Sequence, residues 1–202
     1  YVDKEQFKEE YNKNLEILRE TNDKNKFELI TSKLVNSLNQ GHVSIVISGG
    51  YNSYCQGNGI LFPFDIYIEE GKLFIQKDYS TENLSIGTEI IEIDGIDTKQ
   101  IIYDIQQYLP GERQIFKERL SEVYFKYLFW RLFQRFHTEF NIKFDKSGNI
   151  IEKSIKGVSY NEIITKKSSS NITSYIIGET GFIKINSFSD EKEFKKEIAA
   201  LI

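Results

Sequence analysis

Apolar residues recur first at helical spacing. Phe7, Tyr11, Leu15 and Leu18 share one face of a helix, which the polar run from Thr21 to Lys26 ends. Phe27, Ile30, Leu34, Val35 and Leu38 mark a second amphipathic helix. Asn39-Gln40-Gly41 stops it, since glycine is favoured just past a helix end. The period then changes to two. Val43, Ile45 and Ile47 alternate with Ser44, Val46 and Ser48, predicting a strand closed by Gly49-Gly50.

From Gly57 onward the pattern is β-rich. Gly59 to Phe62 leads into a strand over Phe64–Ile68, a turn at Glu69-Glu70-Gly71-Lys72 and a strand over Leu73–Ile75. Thr88–Ile93 alternates into Asp94-Gly95, the strongest short hairpin signal in the chain. Thr98 is placed to cap a helix running to Leu109, which Pro110-Gly111 breaks. A long helix follows from about Glu112 to Phe136, and its residues Val123 to Phe136 are apolar nearly all round. Two further hairpins are predicted, Asn141–Phe144 with Asn149–Ile151 and Ser174–Ile177 with Gly181–Ile185. A helix begins after Ser189, and Lys166–Asn171 reads as a surface loop.

This order is α+β. It divides into an N-terminal helical part ending in a strand (1–50), a β-rich module with its long helix (51–137) and a third part that starts with strands (138–202). At 202 residues the chain buries a sizeable core without a staple, and its single cysteine, Cys55, excludes an internal disulfide. The net charge of -4 comes from interspersed signs, and only five arginines are present, so nothing favours nucleic acid or an anionic membrane. The apolar window is too short and too charged to span a bilayer. The chain opens Tyr1-Val2-Asp3 and stops at Leu201-Ile202 inside an element, which reads as an excised piece. The apolar helix is then expected to pack on a missing domain or a second subunit.

Candidate chemistry is sparse. His42 follows the second helix directly. By position alone it reads first as a helix-end histidine, favoured at the negative end of the helix dipole, and second as a general base held at a corner that faces a cleft. His137 lacks a periodic partner and reads as structural or solvated. No Gly-x-Ser-x-Gly elbow occurs; Ser189 suits a helix cap better than a nucleophile, and no neighbour activates Cys55. No His, Asp or Glu cluster has metal-ligand spacing, so neither a metal nor a cofactor is expected. Gly57-Asn58-Gly59-Ile60 is a glycine-rich turn entering a strand. A tight turn is the commoner meaning of such a run; the other is a site that presents backbone N–H groups to a peptide's terminal carboxylate, beside a strand edge that accepts an added strand.

Taken in order, these pieces resemble the first half of a carboxy-terminal processing peptidase, the serine peptidase family that includes tail-specific and tricorn-type proteases. The resemblance rests on Leu38–Val43 after a helical pair and on Gly57–Ile60 with its following strands. Ile86–Gly95 resembles a PDZ segment, and Gly181–Phe188 resembles the strand that opens the family's catalytic domain. It implies a helical subdomain, a PDZ-like module with a long helix, and an incomplete mixed α/β peptidase domain over 138–202. It further implies a serine endopeptidase that cleaves unstructured polypeptides through an acyl-enzyme and is inactive as this segment, because the serine lies downstream. Tricorn-like members use a histidine base in the stretch matched by Gln40-Gly41-His42, which casts His42 in that role. An exported location follows by analogy. Two departures stand: Gln40 replaces the usual aspartate, and Thr88 replaces the usual acid of the PDZ segment. A non-catalytic PDZ-like binding or scaffolding protein, or a degenerate peptidase homologue, is the alternative.

Overall fold

The computed structural model describes residues 3–45, 49–134, 137–146, 148–167, 172–177, 180–185 and 191–199. The chain divides into two compact units, Tyr1–Glu162 and Ile163–Ile202. The first opens with two helices, α1 (Lys4–Arg19) and α2 (Lys24–Asn36), each capped at its start by an aspartate. Asp3 accepts a bond from the Glu5 N–H and Asp23 from the Asn25 N–H. After α2 the left-handed position is taken by Asn39, at φ 52°, and not by Gly41.

A short helix, α3 (Gly49–Gln56), starts at the two glycines that were expected only to close a strand over residues 43–48. Residues 43–45 are irregular, and 46–48 lie outside the described residues. Tertiary packing overrides the two glycines. Tyr51 and Tyr54 meet Trp130 at ring-centroid distances of 5.4 and 5.1 Å, and Tyr51 meets Tyr127 at 5.2 Å. Cys55 is buried on the same helix. Burial raises its thiol pKa, and a hydrogen bond with Tyr51 opposes that shift.

Then comes the sheet. It contains β2 (Phe64–Glu69), β3 (Lys72–Asp78), β4 (Glu89–Ile93), β6 (Glu139–Lys146) and β7 (Asn149–Lys156) in that spatial order, all antiparallel, with β5 (Ile96–Asp97) beside β4. Both expected tight turns form. Glu70-Gly71 and Asp94-Gly95 have positive φ at both positions, as a type I′ turn demands. A separate pair, β1 (Ile60–Leu61) with β8 (Val158–Ser159), closes the sheet's entry onto its exit.

The expected boundary after His137 runs through this sheet and is corrected by it. Strand β6 pairs with β4 over Glu89–Ile93, so residues 139–159 complete the module that begins near Gly57. Alternation placed Phe140, Ile142 and Phe144 on one face, but it carries no information about which strand lies alongside.

Helices α4 (Thr98–Gln106) and α5 (Gln114–Phe129) cover the apolar face. Asp97 caps α4, one residue before the expected Thr98, whose buried hydroxyl donates instead to the Ile90 carbonyl at 3.0 Å. The long helix is not one α-helix. A π-helical turn over Trp130–Gln134 ends it, shifting the phase so that Arg131 and Gln134 turn inward. At the centre of the core, the Phe62 ring meets Phe64, Phe125, Phe129 and Phe140 at centroid distances of 5.2–5.5 Å.

Helix α6 (Tyr160–Lys167) crosses from the first unit into the second. The second unit holds the antiparallel pair β9 (Ile172–Ile177) and β10 (Thr180–Ile185), with α7 (Glu191–Ala199) against β9. Ser189, residues 186–188 and 168–171, and the chain end at 201–202 lie outside the described residues.

Phe62→Ala removes the ring that four other phenylalanines touch. It should lower the unfolding free energy by about 3–5 kcal/mol, measured by denaturant titration.

Candidate functional site

The Gly57–Ile60 corner was expected to aim N–H groups at a carboxylate. The structure gives all four N–H groups internal acceptors. Gly57 bonds the Ser53 carbonyl (3.0 Å), Asn58 the Cys55 carbonyl (2.9 Å) and Gly59 the Tyr54 carbonyl (2.9 Å), while Ile60 donates to the Tyr54 hydroxyl at 3.0 Å. These bonds finish α3, with Asn58 in the left-handed region at φ 59°. Tyr54 in turn donates to the Ile60 carbonyl, and its ring lies where a Cβ on Gly59 would stand, at 2.3 Å. Gly59 is therefore a close-approach glycine. The run joins α3 to β1 and is not an open anion cradle.

The edge of β2 is the other half of the expected peptide site, and α5 lies along it. The Ile68 N–H donates to Glu122 Oε1 at 2.7 Å, and the Ile68 carbonyl accepts from Arg119 at 3.1 Å. Lys126 Nζ donates to the Phe64 carbonyl at 2.6 Å and also pairs with Asp65. These side chains give β2 what a neighbouring strand would: an acceptor for its N–H and donors for its carbonyls. Their spacing suits the task. Seven residues of α-helix span about 10 Å, close to the roughly 13 Å from residue 64 to residue 68 along a strand.

Lys126 also anchors a small polar cluster. The Tyr79 hydroxyl donates to Asp65 Oδ2 at 2.6 Å, and both Lys77 and Lys126 lie 5.1 Å from the Tyr79 ring centroid. Burial first, and the bond to Asp65 second, raise the Tyr79 phenol well above its usual pKa, so it stays a neutral donor. The cluster closes the β2 edge and holds no group poised as a nucleophile.

His42 lies in the turn after α2, closed by the Val43 N–H to the Gln40 carbonyl (3.1 Å), and it is exposed. Among the described residues its ring makes no hydrogen bond or ion pair. Two clefts flank this turn, and His42 lines neither. Gly41, Ser44 and Ile45 border an apolar cavity of about 180 Å³ shared with Tyr124, Tyr127 and Arg131. Asn39 and Gln40 border a polar cleft of about 520 Å³ with Gly111, Gln114 and Lys117. Lys117 Nζ lies 2.8 Å from Asn39 Oδ1, and burial lowers its pKa. Arg131, 4% exposed, holds Glu28 of α2 at 2.6 Å and ties the helical pair to the module.

His137 is exposed, 3.9 Å from Asp94 Oδ2. Asp94 and Asp97 serve the backbone: Asp94 accepts from the Asn141 N–H, and Asp97 caps α4. Among the described residues no group of three or more His, Cys, Asp or Glu is placed to hold a metal ion, and no helix is long and apolar enough to cross a membrane.

Sequence reasoning missed Arg119, Glu122 and Lys126 as a set. Their signal was the spacing of 119, 122 and 126 at three and four residues, which puts an Arg, a Glu and a Lys on one stripe of the helix beside its apolar positions Phe125 and Phe129.

Comparison with known families finds that one described as the PDZ domain matches residues 58–168, more than half of the chain. Comparison with curated proteins finds no match. The matched span runs from the Asn58 corner through both helices and β7 to the end of α6.

Glu122→Ala leaves the part-buried Ile68 N–H without its acceptor. It should cost about 1–3 kcal/mol of stability and speed hydrogen exchange at the Ile68 amide, read by NMR.

Proposed function

Because the chain belongs to the PDZ-domain family, we propose that residues 58–168 act as a scaffolding module whose strand-addition edge is filled by its own helix. PDZ domains take an extended peptide as an added strand on an exposed sheet edge. One observation carries the reading: on β2's outer edge, Ile68 near the strand's end has both backbone groups bonded by α5 side chains, and Phe64 at its start has its carbonyl bonded by Lys126 of the same helix. Helix α5 also buries Phe125, Leu128 and Phe129 in the core, so freeing the edge would expose that core. A polypeptide partner then engages this module on another surface.

An NMR titration of the full chain with short peptides bearing free C-termini tests this. No saturable shift is expected at the Ile66–Ile68 amides up to about 1 mM peptide. Saturable perturbation running along β2 would overturn the reading.

A finer reading sets this module in a serine endopeptidase of the carboxy-terminal processing type, exported and acting on unstructured polypeptides through an acyl-enzyme. The ordered resemblance from Leu38 to Phe188 supports it, and so does the exposure of His42 in a short turn, where its ring is open to a group from elsewhere in the protein. In this reading His42 takes the proton from a serine outside residues 1–202 and returns it to the leaving amine. In a longer natural chain that cleaves an unstructured polypeptide, His42→Ala should lower kcat by about 100-fold or more. An unchanged kcat would remove His42 from the mechanism.

A further inference from the structure

Strand β7 is the outer strand at the other end of the same sheet. It pairs only with β6 among the described strands. Two bonds set the phase of the ladder. The Gly157 N–H reaches the Thr138 carbonyl at 2.8 Å, and the Asp94 N–H reaches the Asn141 carbonyl at 2.8 Å. Residues 140, 142, 144 and 146 of β6 therefore bond β7, while 141, 143 and 145 face β4. It follows that Ile150, Glu152, Ser154 and Lys156 direct their N–H and carbonyl groups away from the sheet. The strand runs eight residues without a proline, and of these only Ile155 is buried.

We propose that this edge joins two copies of the chain, with their β7 strands antiparallel about a two-fold axis at Ser154. The charges select both the partner and the register. On the outer face Glu92 pairs with Lys143 at 2.7 Å, Lys143 stands opposite Glu152, and Lys156 stands opposite Glu139. Centred on Ser154, the two-fold sets Glu152 of each copy against Lys156 of the other. The row then reads Glu92, Lys143, Glu152, Lys156, Glu139, alternating in sign across five strands and repeated by symmetry. Centring on Lys153 would oppose two lysines, and centring on Glu152 two glutamates. A centre at Ile151 would set each Glu152 against an isoleucine. An edge charged solely to repel neighbours would carry one sign, whereas this one carries the complement of itself. The proposal does not rest on the scaffolding or peptidase readings.

Sedimentation velocity of the full chain at low salt, from about 1 µM to 1 mM, tests it. A concentration-dependent monomer–dimer equilibrium is expected. Glu152→Lys alone should raise the dimer Kd by about 10-fold, since both symmetric pairs become repulsive. The double exchange Glu152→Lys with Lys156→Glu should restore the Kd to within about threefold of wild type. Ser154→Pro removes an outward N–H while leaving the β6 ladder in place, and should abolish the dimer with the fold retained by circular dichroism. A monomer at every concentration overturns the proposal. So does a dimer indifferent to both the charge exchange and Ser154→Pro, and so does a monomer that instead takes an unrelated peptide along β7.

Discussion

A strand edge that is covered must still find partners for its N–H and carbonyl groups, because burying them unpaired is costly. In this chain the requirement falls on β2, and helix α5 meets it. Glu122 supplies an acceptor to Ile68, Arg119 a donor to Ile68, and Lys126 a donor to Phe64. One helix thereby does two jobs. Its polar stripe replaces a missing strand, and its apolar side delivers Phe125 and Phe129 to the ring cluster around Phe62. Neither job is separable from the other, since both depend on α5 lying at one distance from the sheet.

That coupling distinguishes a lock from a switch. A segment that leaves a groove on ligand arrival must have a low opening free energy, as lids and binding loops do. Withdrawing α5 would expose several nearly fully buried aromatic and aliphatic side chains, each contributing roughly 1.5–3 kcal/mol by burial. A single peptide strand repays little of that. The fold supplies the sheet and its order, while the side chains of α5 decide which partners the backbone of β2 has.

The sequence was most legible where local chemistry decides structure. Glu70-Gly71 and Asp94-Gly95 have few alternatives to the turns they adopt, and the stop after α2 is written in Asn39 to Gly41. It was least legible where distant partners decide. Helix α3 begins with two glycines and exists because Tyr51 and Tyr54 meet Trp130, about eighty residues away. The Gly57–Ile60 run read as a carboxylate site because sequence shows which N–H groups a turn contains, but not which carbonyls stand behind them; here those belong to Ser53, Tyr54 and Cys55. The boundary placed after His137 failed for a related reason. A strand's side-chain alternation says which face is buried and leaves its neighbour unspecified, and the neighbour of β6 is β4. His42 was legible as an exposed residue just past a helix end, and its chemistry depends on groups that sequence position alone does not bring near.

The sheet's two outer strands make the same point from opposite sides. Both direct backbone groups away from the sheet with no further strand beside them among the described residues, so composition alone would treat them alike. At β2 the neighbours are charged side chains on a helix whose other face is core. There the edge is closed by residues lying more than fifty positions later in the chain. At β7 the charged residues sit on the strand itself, in a sequence whose signs complement its own reversal. A helix that closes an edge fixes one partner for good. A strand that carries its own complement leaves the choice to concentration, because strand pairing over so short a span is weak until two copies meet often. The module thus keeps its conformational stability at one end of the sheet and its capacity for association at the other. The divide between them is set by where α5 lies.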